Sequence, residues 1–528
     1  MKLFNKISEL IFGSDKNKFD DKSFSIKPVV IIAIFAGLLV QIISYYFNYQ
    51  FAYRDSIYRL EAARRFFDAI NPGIISQIGT VWLPIPNLIM MPLAAINFFW
   101  ETGLAGSIVN FVAFVISGVT VFRFIKLALN NVLSTWFGFL MFITNGSILY
   151  FQTTSMTEST YICFITVFIY FIFKWVKLEK LKYLFYASIW AGLAAGSRYD
   201  SWPVILSASF LVIIISPGKK INFIKPFLAF SVVPLAIIAA WFIYNYIYYG
   251  DALEFSRGKF STLAQLKYYE DAGRLLTKHN LLLSLNVAIS SFMLYSGYLF
   301  FTVSVIGFFI YLWKYKVKLE NYIPYLFLVS FPAAVLLLYL GQMIIELPNS
   351  VPPGYFNSRY GLYIFPGICF FTAFLFDYFL NMKKYLRKKI LVYTMLAVFI
   401  FQFFMQFSYY PAFIPALAEV KYNYNDVNIE ASHFLKDNYD GGNLLYDNII
   451  FALYPWSGIN LKERISFHTY EIGEKALNNP VTYAKWVMFY KKFPDDHIYN
   501  SLKDNFIFLD NYERVFSKEG IEIYKRKF

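Results

Sequence analysis

Long apolar stretches alternate with short polar loops along most of this chain, and the pattern predicts a bundle of membrane-crossing helices. The first crossing is read at 29–47. Others follow at 105–122, 132–150, 158–173, 183–197, 201–216, 226–248, 287–313, 322–344, 360–380 and 389–408, about eleven in all. Trp82 to Phe99 is apolar too, but Pro84, Pro86 and Pro92 interrupt it, so it reads as an interfacial segment and not as a crossing. Just before it the polarity inverts. Arg54, Asp55, Arg59, Glu61, Arg64, Arg65 and Asp68 crowd a stretch that reads as a helix from Asp55, with Leu60, Ala63, Phe67 and Ile70 on one face. Asn71-Pro72-Gly73 is expected to stop that helix.

These patterns divide the chain into a polar N-terminal segment at 1–27, a helical membrane region at 28–409 with its charged loop at 48–104, and a tail at 410–528. The N-terminal segment carries six lysines and lacks a small-residue cleavage site, so the first crossing reads as an anchor. The tail mixes helical stretches (Asp426–Asn438, Asp496–Asp504) with strand-like ones (Leu444–Tyr446, Trp486–Tyr490, Ile521–Tyr524) and reads as a small soluble α/β unit. The expected fold is therefore an all-α polytopic membrane protein with a small C-terminal α/β domain.

Composition agrees with the pattern: 58% of residues are hydrophobic and 16% charged, which suits a membrane and not a soluble protein of this length. The net charge of +14 invites a nucleic-acid partner until its distribution is considered. With the N-terminus placed in the cytoplasm, the inside loops hold 23 Lys and Arg, whereas the longer outside loops before residue 410 hold 11. The excess is thus a topology signal, and no nucleic acid is implied. This alternation works only if 82–99 does not cross. It puts Asp55, Glu158, Arg198, Asp200, Arg257, Lys259, Glu346 and Arg359 on the external face, with the tail. Cys163 and Cys369 lie in apolar runs, and His279, His433, His468 and His497 form no ligand spacing, so no disulfide or zinc site is expected.

Each charged candidate has a plainer reading beside the chemical one. Asp55 opens a helix and is either its N-cap or a general base for an attacking hydroxyl. Glu158, in MTEST at the mouth of a crossing, either complements the helix dipole or supports the site; binding sugar or a divalent ion is also open to it. Arg198 and Asp200 sit in AAGSRYDSW, where Gly192 and Gly196 form a close-packing face; they are either an internal pair or, for Arg198, a phosphate donor fork. Arg359 either snorkels or contacts phosphate. The loop 249–286, with Arg257, Lys259 and Tyr269, is long enough to roof a site.

Taken together, these stretches resemble the GT-C superfamily of membrane glycosyltransferases, in particular the branch of protein O-mannosyltransferases and lipid A aminoarabinose transferases. The resemblance rests on YRDSIYRLEAARRFFD, GTVWLPIPNLIMMP, WETGLAGS, MTE, AAGSRYDSW, WFIYNYIYYGDALEF and SRYGLYIFPG, in order over about residues 28–410. It implies a polyprenyl-phosphate sugar donor, an acceptor hydroxyl on protein, lipid or glycan, an external active site at a cell membrane, and inversion at C1. It makes Asp55 the catalytic carboxylate. Some relatives have two adjacent acidic residues there; here Ser56 follows, so one must serve. Arg59, Arg64, Arg198 and Arg359 are the candidates for the donor phosphate, and Glu158 and Asp200 the supporting acids. No multi-carboxylate metal cage is evident, although a divalent cation is compatible with the family.

Two other classes compete. A transporter or lipid flippase predicts ionisable residues at mid-bilayer and an internal repeat, neither of which the chain displays. A polysaccharide ligase or polymerase of similar topology would use a diphosphate-linked donor.

Overall fold

The computed structural model describes residues 25–218, 222–259, 261–315, 318–350, 353–408, 415–423, 426–448, 453–466 and 470–527. Almost all of the predicted segment 1–27 lies outside them. The helical body runs α1 (Lys27–Tyr46), α2 (Arg54–Arg64), α3 (Ile85–Ala94), α4 (Leu104–Leu129), α5 (Val132–Ile143), α6 (Glu158–Leu178), α7 (Lys182–Ala195), α8 (Ser201–Gly218), α9 (Ile224–Tyr249), α10 (Leu281–Ser296), α11 (Tyr298–Tyr315), α12 (Ser330–Tyr339), α13 (Phe365–Leu380) and α14 (Tyr385–Ser408), with shorter helical turns between.

Among the described residues, seven helical segments are long and apolar enough to cross a membrane: α1, α4, α6, α9, α11, α13 with its leading turn, and α14. An eighth counts if the 3-10 helix Leu319–Leu328 and α12, bent by 50°, form one span. The sequence led to about eleven. The predicted crossings that yield no such helix are 132–150, 183–197 and 201–216, and 287–313 is shortened to α11. Residues 132–150 divide at Asn145, whose side chain accepts the Ile148 N–H and starts a new turn. Residues 183–197 yield only the 14-residue α7. The stretch 287–313 splits into α10 and α11 at Gly297, which sits at φ +87°, a backbone that other residues adopt only under strain. The proline segment behaves as expected: α3 is 10 residues long, with Pro86 at its start and Pro92 inside, too short to cross.

The most enclosed helices are α6 and α13, packed through aromatic contacts such as Phe124 on Phe173 and Phe370 at 5.0 and 5.3 Å, and Phe137 on Phe376 at 4.5 Å. In lipid such packing, and not hydrophobic exclusion, holds helices together. The Gly192/Gly196 face does what the spacing predicts. A Cβ at Gly192 would come within 2.7 Å of Val233 on α9, and one at Gly196 within 2.4 Å of Ile85 on α3. The helix ends sort into two polar poles. At one, Ser134 donates to Asp377 and Lys314 lies over Tyr378, joining loops that the alternation puts on the same side. At the other lie Asp55, Glu158, Arg198 and Arg359.

The C-terminal part begins with α15 (Pro415–Asn423) and α16 (Asp426–Asn438) and continues as an α/β unit. Strands β1 (Leu444–Tyr446), β2 (Arg464–Ser466), β3 (Trp486–Tyr490), β4 (Tyr512–Lys518) and β5 (Ile521–Arg526) form one sheet in the order β2-β1-β3-β5-β4. The first three neighbours run parallel, and β5 and β4 pair antiparallel on one edge. β2 and β4 were not legible as strands beforehand. The predicted helix 496–504 is found at His497–Leu502, capped by Asp496.

This unit docks on α2. Arg464 donates to Glu61 at 2.6 Å, the Asp68 carboxylate accepts the Leu461 and Lys462 N–H groups, and Tyr58 donates to the Asn448 carbonyl. The docking explains why α2 ends at Arg64 and not at Asn71: the chain leaves the helix to bring Asp68 to the C-terminal unit, so Phe66 turns inward and Phe67 outward. Burial raises the Glu61 carboxyl above its ordinary value even though Arg464 opposes the shift. Because both partners are buried, Arg464→Met should destabilise the docked state by about 3–5 kcal/mol by stranding Glu61. Limited proteolysis should show that loss, and the Glu61→Met/Arg464→Met double variant should lie closer to wild type than either single one.

Candidate active site

Local packing builds the site from three directions. Residues 152–157, ahead of α6, are clamped by α4: Asn110 donates to the Thr154 and Met156 carbonyls at 2.7 and 2.6 Å. A Cβ at Gly106 would come within 2.6 Å of the Ser155 Cα, so α4 approaches closely here. Ser56 ties this segment to α2, donating to the Gln50 carbonyl and accepting the Ser155 N–H. Next, the 3-10 turn Ser358–Leu362 rests on α10, where a Cβ at Gly361 would meet the Ser291 carbonyl oxygen at 2.2 Å. Third, Ile85 N–H bonds to the Gly196 carbonyl and holds α3 beside the Arg198 corner.

Arg359 lies at the centre. Its Nη2 donates to Asp55 Oδ2 at 2.8 Å, Nε to Glu158 Oε1 at 3.2 Å and Nη1 to Glu419 Oε1 at 3.4 Å. Arg198 reaches the same Glu158 oxygen at 3.4 Å, and also bonds Thr157 Oγ1 and Asp200 Oδ2 at 2.9 and 3.0 Å. Asp55 is not an N-cap. Tyr53 holds that position, and Asp55 makes no capping bond. Its side chain is 39% exposed, and its second oxygen, Oδ1, has no hydrogen-bond partner among the described residues. Glu158 Oε2 is likewise unpartnered, though wholly buried.

The four arginine candidates separate cleanly. Arg64 is engaged away from this cluster: it bonds Asp68, the Ala94 and Ala95 carbonyls and Asn97, and stacks on Trp100. It is a structural staple between α2 and the end of α3. Arg359 is held by three carboxylates and Arg198 by two, with Nη2 of Arg198 left unbonded among the described residues. Arg59 differs from all three. It is buried over the Trp82 ring at 4.2 Å, and no hydrogen bond or ion pair reaches it among the described residues. Burial, with Arg198 nearby, pushes its basicity down to about 10, while Glu158 and Asp55 partly compensate.

The loop candidates lie to one side. Arg257 pairs with Asp251 at 3.6 Å, Tyr269 lies under Arg274, itself bonded to Glu346, and Lys259 is exposed. Phe255 of the same loop stacks on Tyr199 at 5.2 Å, so the loop reaches the Arg198 corner through an aromatic contact that was not anticipated. Glu419 was also missed; it lies on α15, beyond the last apolar stretch, in a sequence with no motif. Among the described residues no group of three His, Cys, Asp or Glu side chains is arranged to hold a metal ion.

A cavity of about 530 Å³ opens beside this cluster. Tyr199, Asp200, Tyr360 and Tyr363 form its polar end, and Trp202, Leu206, Leu235, Ile238, Ala334 and Leu337 its apolar wall. Its wall follows α8 from Trp202 to Ser209, about 10 Å along the helix axis.

Helical body and C-terminal α/β unit define the class first: a multi-pass membrane protein whose fold is that of a known membrane oligosaccharyltransferase. The fold is similar to that of the Archaeoglobus fulgidus oligosaccharyltransferase in its apo form, at 12% identity and a TM-score of 0.51, over 89% of this chain and 70% of that one. The same enzyme tethered with an acceptor peptide superposes at 11% identity and a TM-score of 0.49, over 96% and 74%. In sequence, residues 86–244 match the family described as dolichyl-phosphate-mannose-protein mannosyltransferase, the branch that the motifs resemble. No curated protein matches the chain.

Proposed function

We propose that this protein transfers a sugar from a polyprenyl-phosphate donor to an acceptor hydroxyl, with inversion at C1 and Asp55 as general base. The observation that carries the reading is the pairing of two groups at one pole. Among the described residues, Asp55 has one oxygen fixed by Arg359 and the other without a hydrogen-bond partner, and Arg59 is a buried cation that no carboxylate touches. In the proposed step Asp55 takes the hydroxyl proton while the hydroxyl oxygen bonds C1. The bond from C1 to the phosphate oxygen breaks, and the polyprenyl phosphate leaves with the electron pair. Arg59 supplies the charge that the leaving phosphate needs, in a setting where burial strengthens the contact. Arg359 orients Asp55, Glu158 orients both Arg359 and Arg198, and Asp200 orients Arg198.

The apolar cavity is suited to the first isoprene units of such a donor, its polar end opening beside Asp200. The positive-inside count supports an N-terminus in the cytoplasm and a carboxylate pole and α/β unit on the external side of a cell membrane. Sugar transfer from labelled polyprenyl-phosphate sugars by purified protein tests the reading. Ala334→Trp, which fills the cavity wall, should weaken a long-chain donor about tenfold, the equivalent of two methylenes left unburied. A short-chain donor should be much less affected. Equal losses for both donors would move the prenyl chain out of this cavity.

A further inference from the structure

Asp55, Glu158 and Arg198 belong to the helical body, but one carboxylate of the cluster does not. Glu419 comes from α15, the helix that precedes the α/β unit. It is buried, and it meets Ser358 and Arg359 of one turn and Tyr295 of α10. Its Oε1 accepts from Arg359 Nη1, while Oε2 accepts from Ser358 Oγ and from Tyr295 OH at 3.4 Å. Tyr295 OH and Ser358 Oγ are themselves 2.8 Å apart. Because Ser358 and Arg359 are adjacent, a single carboxylate holds both residues from above, and α10 supports the same turn from below through Gly361.

Arg359 needs this. A guanidinium presents its donors in a fixed fork, so locking two nitrogens fixes where the third points. Glu158 holds Nε and Glu419 holds Nη1, which leaves Nη2 aimed at Asp55. If Nη1 were released, the plane could turn about the Glu158 contact, and the Asp55 oxygen would lose its fixed partner. The α/β unit meanwhile grips α2 through Glu61, Asp68 and Tyr58, so the C-terminal part of the chain holds both sides of the Asp55–Arg359 pair.

We infer that Glu419 is a positioning residue for sugar transfer, acting through Arg359 to fix the carboxylate of Asp55. This rests on the transfer reading above. Glu419→Gln keeps the size and an acceptor for Ser358 but removes the charged partner of Nη1. A hydrogen bond to a charged group is strong enough that turnover should fall about ten- to a hundredfold, with the donor KM within about twofold. Arg359→Gln should lower turnover as well, and adding Glu419→Gln to it should cost nothing more, since the route runs through Arg359. Tyr295→Phe, which removes one neutral bond to Oε2, should give a smaller loss in the same direction and serves if the Gln variant folds poorly.

The decisive comparison is the double-variant cycle on turnover, with wild type alongside. Non-additive losses support the positioning role. Additive losses, or a Glu419→Gln enzyme that turns over like wild type, overturn it while leaving the transfer reading intact. A wild-type protein that transfers from no polyprenyl-phosphate sugar overturns the transfer reading itself, and this inference with it.

Discussion

Replacing Asp55 with Asn should slow sugar transfer by about 10²- to 10⁴-fold, the range that a positioned general base contributes. The substitution is close to isosteric, and Asn Oδ1 can still accept from Arg359 Nη2 at the distance now seen to Asp55 Oδ2. Arg359 would also keep Glu158 and Glu419, so its charge remains compensated and the fold should survive. What disappears is the free oxygen that can take a proton. The two readings of Asp55 therefore diverge. If it only paired with Arg359, Asn would cost some stability and little rate; if it is the base, rate collapses in a protein that is still assembled. Single-turnover transfer, with thermal unfolding measured on the same preparation, separates the two. An Asn variant with wild-type turnover would reduce Asp55 to half of a structural ion pair.

Much of this site was legible because polar residues are conspicuous in an apolar chain. Asp55, Glu158, Arg198, Asp200 and Arg359 each interrupt or border an apolar stretch, and the alternation of crossings put them on one side before any contact was known. The structure brings all five into one connected network. Glu419 escaped for the opposite reason. It follows the run PAFIPALA, which is too short to mark a crossing, so it borders no predicted span, and its burial is created by docking against Ser358 and Tyr295. The separation of Arg64 from the cluster follows from geometry that the sequence did contain. Arg59 and Arg64 are five residues apart on one helix, about 140° around its axis, so they could not both face the same phosphate. Gly297 shows a third kind of limit: hydropathy sees one long apolar run where a left-handed glycine separates two helices.

Arg59→Gln should lower the efficiency of transfer by about 10²- to 10³-fold, the range seen when one preorganised donor is withdrawn from developing negative charge. The argument begins with what Arg59 lacks. A buried guanidinium over Trp82 that no carboxylate touches among the described residues is costly, and burial and Arg198 push its basicity down to about 10 although Glu158 and Asp55 partly offset them. The cationic form still dominates at neutral pH, so the site holds a charge in waiting. A phosphate oxygen arriving there would repay that desolvation, and the benefit grows as the C1–oxygen bond breaks and charge accumulates on the leaving group. Arg59→Lys should recover part of the loss, because a lysine restores the charge without the planar fork. Trp82→Ala should cost less than Arg59→Gln, since an Arg–aromatic contact contributes about 0.5–2 kcal/mol. How the loss divides between constants then reports when Arg59 acts. A fall in kcat would mean that it stabilises the departing phosphate, whereas a rise in donor KM alone would mean that it binds donor and transition state equally. A Gln variant that transfers normally would return the phosphate to Arg198 or Arg359, both of which already hold carboxylates.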